Sequence, residues 1–267
     1  MALVAPRAVA ALKAARLVPR LGQVLSWSVR SREIANFTYD TTRDSKLILC
    51  GVIAGIVGRP LAETVRHLDE LESDRELAAY VEAASTAPEN RWNVDPGFRP
   101  GRRLAYYLIA RGLKPGRIVE AGVDKGLGAV LISRALALNA TEGQPGAYLG
   151  IEYDRAKPIA LYDGYPGKLG HIVRDDSLAV LRTLTPGIGL FIHDTIADLD
   201  HMTSQLEAVA PLMHPHGVLA STWTTPAVLE HVVRHGLRLL THQEDPIDHW
   251  FPGDRMAFVH GYETFTR

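Results

Sequence analysis

"RIVEAGVDKGLGAVLISRALALN", residues 117–139, begins as a short apolar strand, passes through a turn holding Gly122, Gly126 and Gly128, and continues as an apolar helix. A plain strand-to-helix turn needs one glycine. Three let the backbone enter positive φ and let a ligand approach with no Cβ in the way. The strand ends on Glu120, so the spacing is E-x-G-x3-G-x-G. A dinucleotide fingerprint reads G-x-G-x-x-G, and Gly126-Leu127-Gly128-Ala129-Val130-Leu131 lacks its third glycine. A carboxylate at this strand end repels a pyrophosphate but accepts hydrogen bonds from a cationic amine. The expected ligand is positive at its near end.

Outward from this turn, strand and helix signals alternate. Strands are expected in "AYLGIEYD", "GHIVRDD", "GLFIHDT", "GVLAST", "LRLLTHQ" and "MAFVHGY", with helices in "SLAVLRTL", "DHMTSQLEAVAPLM" and "PAVLEHVVRHG" between them. Short apolar strands separated by helices predict a doubly wound α/β fold, a mostly parallel seven-stranded sheet covered on both faces. Ligands of such sheets bind beyond the carboxyl ends of the strands, at the switch point of strand order. Ahead of this domain, residues 102–267, lie a helical arm (residues 1–85) and a linker, "TAPENRWNVDPGFRPG" (86–101), rich in Pro and Gly. Within the arm, "SKLILCGVIAGIVG" is expected to form one helix and, after Gly58-Arg59-Pro60, "LAETVRHLDELESDRELAAYVEAAS" a helical continuation. Its apolar content suggests a homodimer or higher homo-oligomer joined through the arm.

Composition narrows the partners. A formal net charge of −1 over 267 residues gives no basic face for nucleic acid. No run approaches the roughly 18 apolar residues of a membrane span. The basic start of the chain, with Arg7, Lys13, Arg16, Arg20, Arg30 and Arg32 before the first acid at Glu33, fits a solvated or packed helix, and less readily a membrane-surface helix. The single cysteine, Cys50, excludes an internal disulfide framework and suits a reducing, cytoplasmic setting.

Over roughly residues 98–222 the sequence resembles the class I S-adenosylmethionine-dependent methyltransferases. "VEAGVDKGLGA" stands where that family has its first glycine motif. The resemblance implies that Glu120, Gly122, Gly126 and Gly128 wrap the methionine part of the cofactor. It also implies that Glu152 holds the ribose hydroxyls, that Asp176 and Ser177 contact adenine, and that Asp194 lies beside the reacting methyl. An acid at Asp175 or Asp176 equally suits the cap of a helix starting at Ser177. More closely, "LFIHDT", "HMTSQLEAVAPLMHPHGVLAS" and "NFTYDTTRDSK" resemble bacterial small-molecule enzymes related to the macrolide-sugar O-methyltransferases.

That subgroup implies a divalent metal held by the strand-four aspartate and an acidic pair after strand five. Here Asp194 is present, but Ser221-Thr222-Trp223 replaces the pair. Hard cations want several oxygen ligands, so no metal is expected unless Asp198, Asp200 or His201 substitutes. The acceptor proton then needs a side-chain base. Of His171, His193, His201 and Asp194, His201 is preferred, with Asp194 as the second catalytic residue. His193 should face the opposite side of the sheet from Asp194. "MHPHG" (213–217) suits an exposed turn, and "DPIDHWFPGDRM" (245–256) suits either a flap over the acceptor or a long hairpin loop. Trp223 and Trp250 suit a pocket wall or buried packing. The expected function is O-methylation of a small metabolite, with N-methylation or a non-catalytic cofactor-binding module as alternatives.

Overall fold

Alternate residues on four neighbouring strands join two different cores, one on each face of the central sheet, in the computed structural model, which describes residues 18–33, 37–90, 94–195 and 198–263. The chain begins with α1 (Val18–Arg30), β1 (Asp40–Thr41), α2 (Arg43–Val57), α3 (Leu61–Glu72), α4 (Arg75–Thr86) and α5 (Arg103–Leu113). It continues through β2 (Arg117–Ala121), α6 (Leu127–Thr141), β3 (Ala147–Ile151), β4 (Gly170–Val173), α7 (Ser177–Leu181), β5 (Ile188–His193) and α8 (Leu199–Val209). A short 3-10 turn (Ala210–Leu212) leads to β6 (Met213–Ser221), α9 (Pro226–His235), β7 (Arg238–Gln243), β8 (Pro246–Ile247) and β9 (Arg255–His260).

The large sheet has seven strands in the order β4-β3-β2-β5-β6-β9-β7. Its first five neighbours pair in parallel, while β9 runs antiparallel to both β6 and β7. Ile118, Leu190, Ile192, Val218, Ala220, Met256 and Phe258 enter one core with α2 to α6. The intervening Val119, Phe191, Leu219, Ala257 and Val259 enter a second core under α8 and α9. Successive strand side chains point to opposite faces, so one sheet serves both layers.

The helical arm belongs to the first core. Leu49, Cys50, Ile53, Leu68, Leu71, Leu77 and Val81 are buried with α5 and α6, and the docking is fixed by Arg111, which bonds Glu70 from the arm at 2.8 Å and Glu142 at 2.6 Å. Much of the apolar surface from which self-association was expected packs inside the chain, while Leu47, Ile48 and Leu61 of the arm stay exposed. Three helices form where two were expected. Asp74 interrupts the second by accepting a hydrogen bond from Leu77 N at 3.0 Å, the cap of a new helix.

Two other segments differ from expectation. "MHPHG" is the start of β6, with His214 and His216 exposed, and not a separate turn; the strand is irregular between its pairings to Ile188 and Leu190. The 245–256 stretch holds β8, which pairs antiparallel with β1, Asp40 opposite Ile247. Phe37 lies 5.3–5.4 Å from Trp27, Trp250 and Phe251, ring centre to ring centre, so this stretch and the segment after α1 form one aromatic roof. Of the basic N-terminus, residues 1–17 lie outside the described residues. α1 exposes Leu21, Leu25 and Val29. Among the described residues, no helix is long and apolar enough to cross a membrane.

Candidate active site

From β2 the chain crosses to β3 and β4 on one side, then returns to β5 on the other. The switch point therefore lies between the ends of β2 and β5. There Asp194 N donates to Ala121 O at 2.9 Å. Gly122, at φ 90°, is required by the close approach: a Cβ on it would stand 2.1 Å from the Asp194 carbonyl oxygen. Gly126 is also left-handed, at φ 88°, and its side-chain position faces Ile159 and Tyr162, at 2.6 and 2.8 Å. A Cβ on Gly128 would meet Glu120 Oε1 at 2.4 Å. The side-chain spaces of all three glycines are thus filled by protein. Gly126 was expected to leave that room for a ligand; the loop after β3 takes it instead.

Glu120 is buried beneath the turn and accepts a hydrogen bond from the Tyr148 hydroxyl. Burial, and then the nearby Asp194 charge, push its carboxyl up to about 8. At the end of β3, Glu152 accepts from Asp124 N at 2.9 Å and from Asp154 N at 3.1 Å. These bonds leave further acceptor capacity on both oxygens. The next residue, Tyr153, is 78% exposed.

Asp194 sits in a charged knot. Its carboxylate takes Arg102 Nη2 at 3.2 and 3.3 Å and the Thr222 hydroxyl at 2.8 Å, and Tyr106 Oη stands 3.5 Å away. Arg102, just ahead of α5, reaches Asp254 Oδ2 at 3.5 Å with its other terminal nitrogen. Asp254 in turn accepts Trp223 Nε1 at 3.1 Å, and its backbone N donates to Glu244 at 3.1 Å. Tyr39 Oη donates to the same Glu244 oxygen at 2.6 Å. Burial pushes Glu244 up to about 7 and raises Asp254, against the pull of Arg102.

The remaining expected site residues fall in a second cluster. Asp176 caps α7, accepting from Ala179 N at 2.9 Å. Ser177 is buried, accepts Gln205 Nε2 at 2.6 Å and meets His201 Nε2 at 3.3 Å. His193 is buried with Ser221, 3.4 Å away, and burial pushes its imidazole down to about 4. It does face away from Asp194. The hydrogen bonds of His201 run to Ser177 and Asp198, those of Asp194 to Arg102, Tyr106 and Thr222. The two residues expected to share catalysis therefore have no hydrogen-bond partner in common. His171 is exposed on β4.

Residues 119–221 match the family model described as a methyltransferase domain. This segment is a methyltransferase domain. No curated protein matches the chain in sequence. Among solved structures, the chain is similar to a Klebsiella pneumoniae protein described as an O-methyltransferase, at 14% identity and TM-score 0.49, covering 70% of this chain and 88% of that one. It is similar to a Podospora anserina methyltransferase bound to S-adenosylhomocysteine, at 15% identity and TM-score 0.48, covering 70% and 88%. It is also similar to a Streptomyces achromogenes O-methyltransferase involved in tomaymycin synthesis, at 16% identity and TM-score 0.46, covering 71% and 90%.

The methyl donor of this methyltransferase domain is S-adenosylmethionine. The residues present fit that cation. Acids stand at three strand ends beside the switch point, Glu120, Glu152 and Asp194, and the exposed ring of Tyr153 adjoins the second. A divalent metal at Asp194 fits poorly. Thr222 offers a hydroxyl where an acid would be needed, Asp198 is engaged as the cap of α8, and Arg102 already places a cation against the carboxylate. Arg102, Tyr106, Asp254 and Glu244 were not singled out in the sequence. Their only advance signal was the paired Arg102-Arg103 just after the linker and the acid-rich roof stretch.

Proposed function

We propose that the chain methylates an oxygen of a small metabolite, without a divalent metal. S-adenosylmethionine supplies the electrophilic methyl group. Glu152 takes the ribose hydroxyls, since two carboxylate oxygens match a cis-diol, and Tyr153 lies against the purine. Glu120 receives the amine, which favours the ionised carboxylate over the protonated one. Gly122, Gly126 and Gly128 let the turn pack this closely, and Ser177 and Asp176 hold the start of α7 at the adenine side.

The observation that supports an oxygen acceptor is the pair of buried acids beyond Arg102. A hydroxyl must lose its proton as the methyl arrives, and a base works best when its proton affinity is near ambient pH. Glu244, pushed up to about 7, meets that condition, and Asp254, itself raised, donates its backbone N–H to Glu244 and stands beside Arg102. They replace His201 in that role. Arg102 holds Asp194 in place by the charge a metal would otherwise supply. The likeness to enzymes of macrolide-sugar methylation favours a hydroxyl on a secondary metabolite as acceptor.

The test is methyl transfer from labelled S-adenosylmethionine to a panel of hydroxylated and amine metabolites, before and after exhaustive chelation. Turnover on a hydroxyl that survives chelation is expected. Loss on chelation, restored by magnesium, would refute the metal-free reading. Product fragmentation that places the methyl on nitrogen would refute the oxygen acceptor, and cofactor binding with no transfer to any member would leave the non-catalytic module as the reading.

A further inference from the structure

We propose a binding site for a zinc-class transition-metal ion between α8 and α9, formed by Glu207, His231 and His235. His231 and His235 are four residues apart on α9 and so share one face of it. Glu207, near the end of α8, faces them across the helix pair. Their ligand atoms all lie within 4.8 Å of one another. His235 Nε2 stands 3.2 Å from Glu207 Oε2, and His231 Nδ1 stands 3.7 Å from Oε1. Zinc bonds to nitrogen and oxygen of about 2.0–2.2 Å place the ligands of a tetrahedral site roughly 3.4 Å apart. The observed separations bracket that spacing.

The decisive atom is His231 Nδ1. The His231 side chain is 1% exposed, yet Nδ1 has no hydrogen-bond partner and points toward Glu207 from 3.7 Å, too far for a hydrogen bond. Buried polar atoms are seldom left so. The other ring nitrogen, Nε2, lies 3.4 Å from Tyr262 Oη. A metal-bound imidazole characteristically uses its second nitrogen to donate outward, fixing the tautomer, and Tyr262 can accept from Nε2–H while Nδ1 keeps its lone pair.

Imidazoles with one carboxylate suit zinc, cobalt or nickel better than magnesium or calcium. Three protein ligands leave a fourth position, and Thr203 and Glu230 line the same groove. Arg234 Nη1 donates to Glu207 Oε1 at 3.0 Å, and His235 Nε2 is hydrogen-bonded to Oε2 at 3.2 Å, a contact the metal would replace. The guanidinium charge lowers affinity, and with a side chain 54% exposed it can also swing aside. A metal here ties the end of α8 to the end of α9. Those helices begin just beyond Asp194 and Thr222 respectively, so the ion braces two supports of the switch point from behind.

The experiment is a cobalt(II) titration of the chelated full-length protein by visible absorption, with zinc titration by calorimetry and thermal unfolding alongside. One equivalent is expected to bind at micromolar or better affinity, with tetrahedral cobalt bands and a raised Tm under zinc. Glu207→Gln and His235→Gln, at partly exposed positions, should each weaken zinc at least 10-fold while leaving metal-free Tm nearly unchanged, and Arg234→Gln should tighten it. His214→Gln with His216→Gln should change nothing. No binding at 1 mM zinc, about the upper limit of useful affinity, would overturn the proposal. So would binding that survives His231→Gln/His235→Gln or is lost with the His214/His216 pair.

Discussion

Replacing Arg102 by Met tests whether the charged knot at the switch point is held by one guanidinium. Methionine keeps most of the length and the apolar packing while removing the charge. Arg102 and Asp194 side chains are 5% and 7% exposed, with Asp254 at 9%, so water does little of the screening. At 3.2 Å and an effective dielectric near 20, the attraction of one pair is about 5 kcal/mol. Part of that offsets desolvation, and removing one partner of a buried pair costs about 3–5 kcal/mol because the other charge is left uncompensated. For a domain of this size that lowers Tm by roughly 10 °C. The loss should be larger at pH 8 than at pH 5. Arg102 now pulls the Asp254 carboxyl down against burial. Without it, the folded-state pKa rises, the folded protein binds the extra proton, and stability present at low pH is lost as pH rises. The assay is urea unfolding followed by circular dichroism at both pH values, for Arg102→Met, Asp194→Asn and the double variant. Single costs that add in the double variant to within about 0.5 kcal/mol would show that the pair is not coupled. An Arg102→Met cost below about 1 kcal/mol would refute the clamp altogether.

Gly126→Ala should destabilise rather than merely weaken cofactor binding, because the new Cβ meets Ile159 and Tyr162 in a left-handed backbone. Unfolding free energy should fall by about 2 kcal/mol or more, and an unchanged urea midpoint would show the loop after β3 gives way. Binding of S-adenosylhomocysteine at pH 7 should release a proton, since the amine favours ionised Glu120, whose carboxyl lies at about 8 in the free protein. Calorimetry in buffers of different ionisation enthalpy reads this directly, and Glu120→Gln should abolish the buffer dependence. Buried His193, held at about 4, makes stability fall as pH drops from about 6.5 toward 4, because the unfolded state takes up the proton first. His193→Gln should flatten that limb of the pH profile by about 3 kcal/mol, and an unaltered limb would assign acid loss elsewhere.

How much of this was legible from sequence depends on the distance between partners along the chain. The strand at 117–121, its glycine turn and the alternation of Val218 to Ala220 are local patterns, and each became the element they suggested. The break at Asp74 was local too: Ser73-Asp74 followed by Glu76 is a helix-start signal that a continuous leucine pattern obscured. The fate of Gly126 was not local, since Ile159 and Tyr162 fill its space from a loop over thirty residues away. Arg102 meets Asp194 across ninety-two residues, and nothing near either one marks the pairing. His201 was preferred as a histidine on the helix after the strand, and its partner Ser177 lies twenty-four residues before it.

The roof over the switch point has an uneven ancestry in time. Tyr39 grips Glu244 across 205 residues, and the two-residue pairing of β1 with β8 closes the same long circuit. A chain emerging from the ribosome therefore completes the glycine turn and the ends of β3 and β5 well before any roof exists above them. The roof comes into being only when the last fifth of the chain arrives to meet a segment that has waited since the beginning. Its contour depends on how two distant stretches fit each other, so either can alter it while the glycine turn stays as it is.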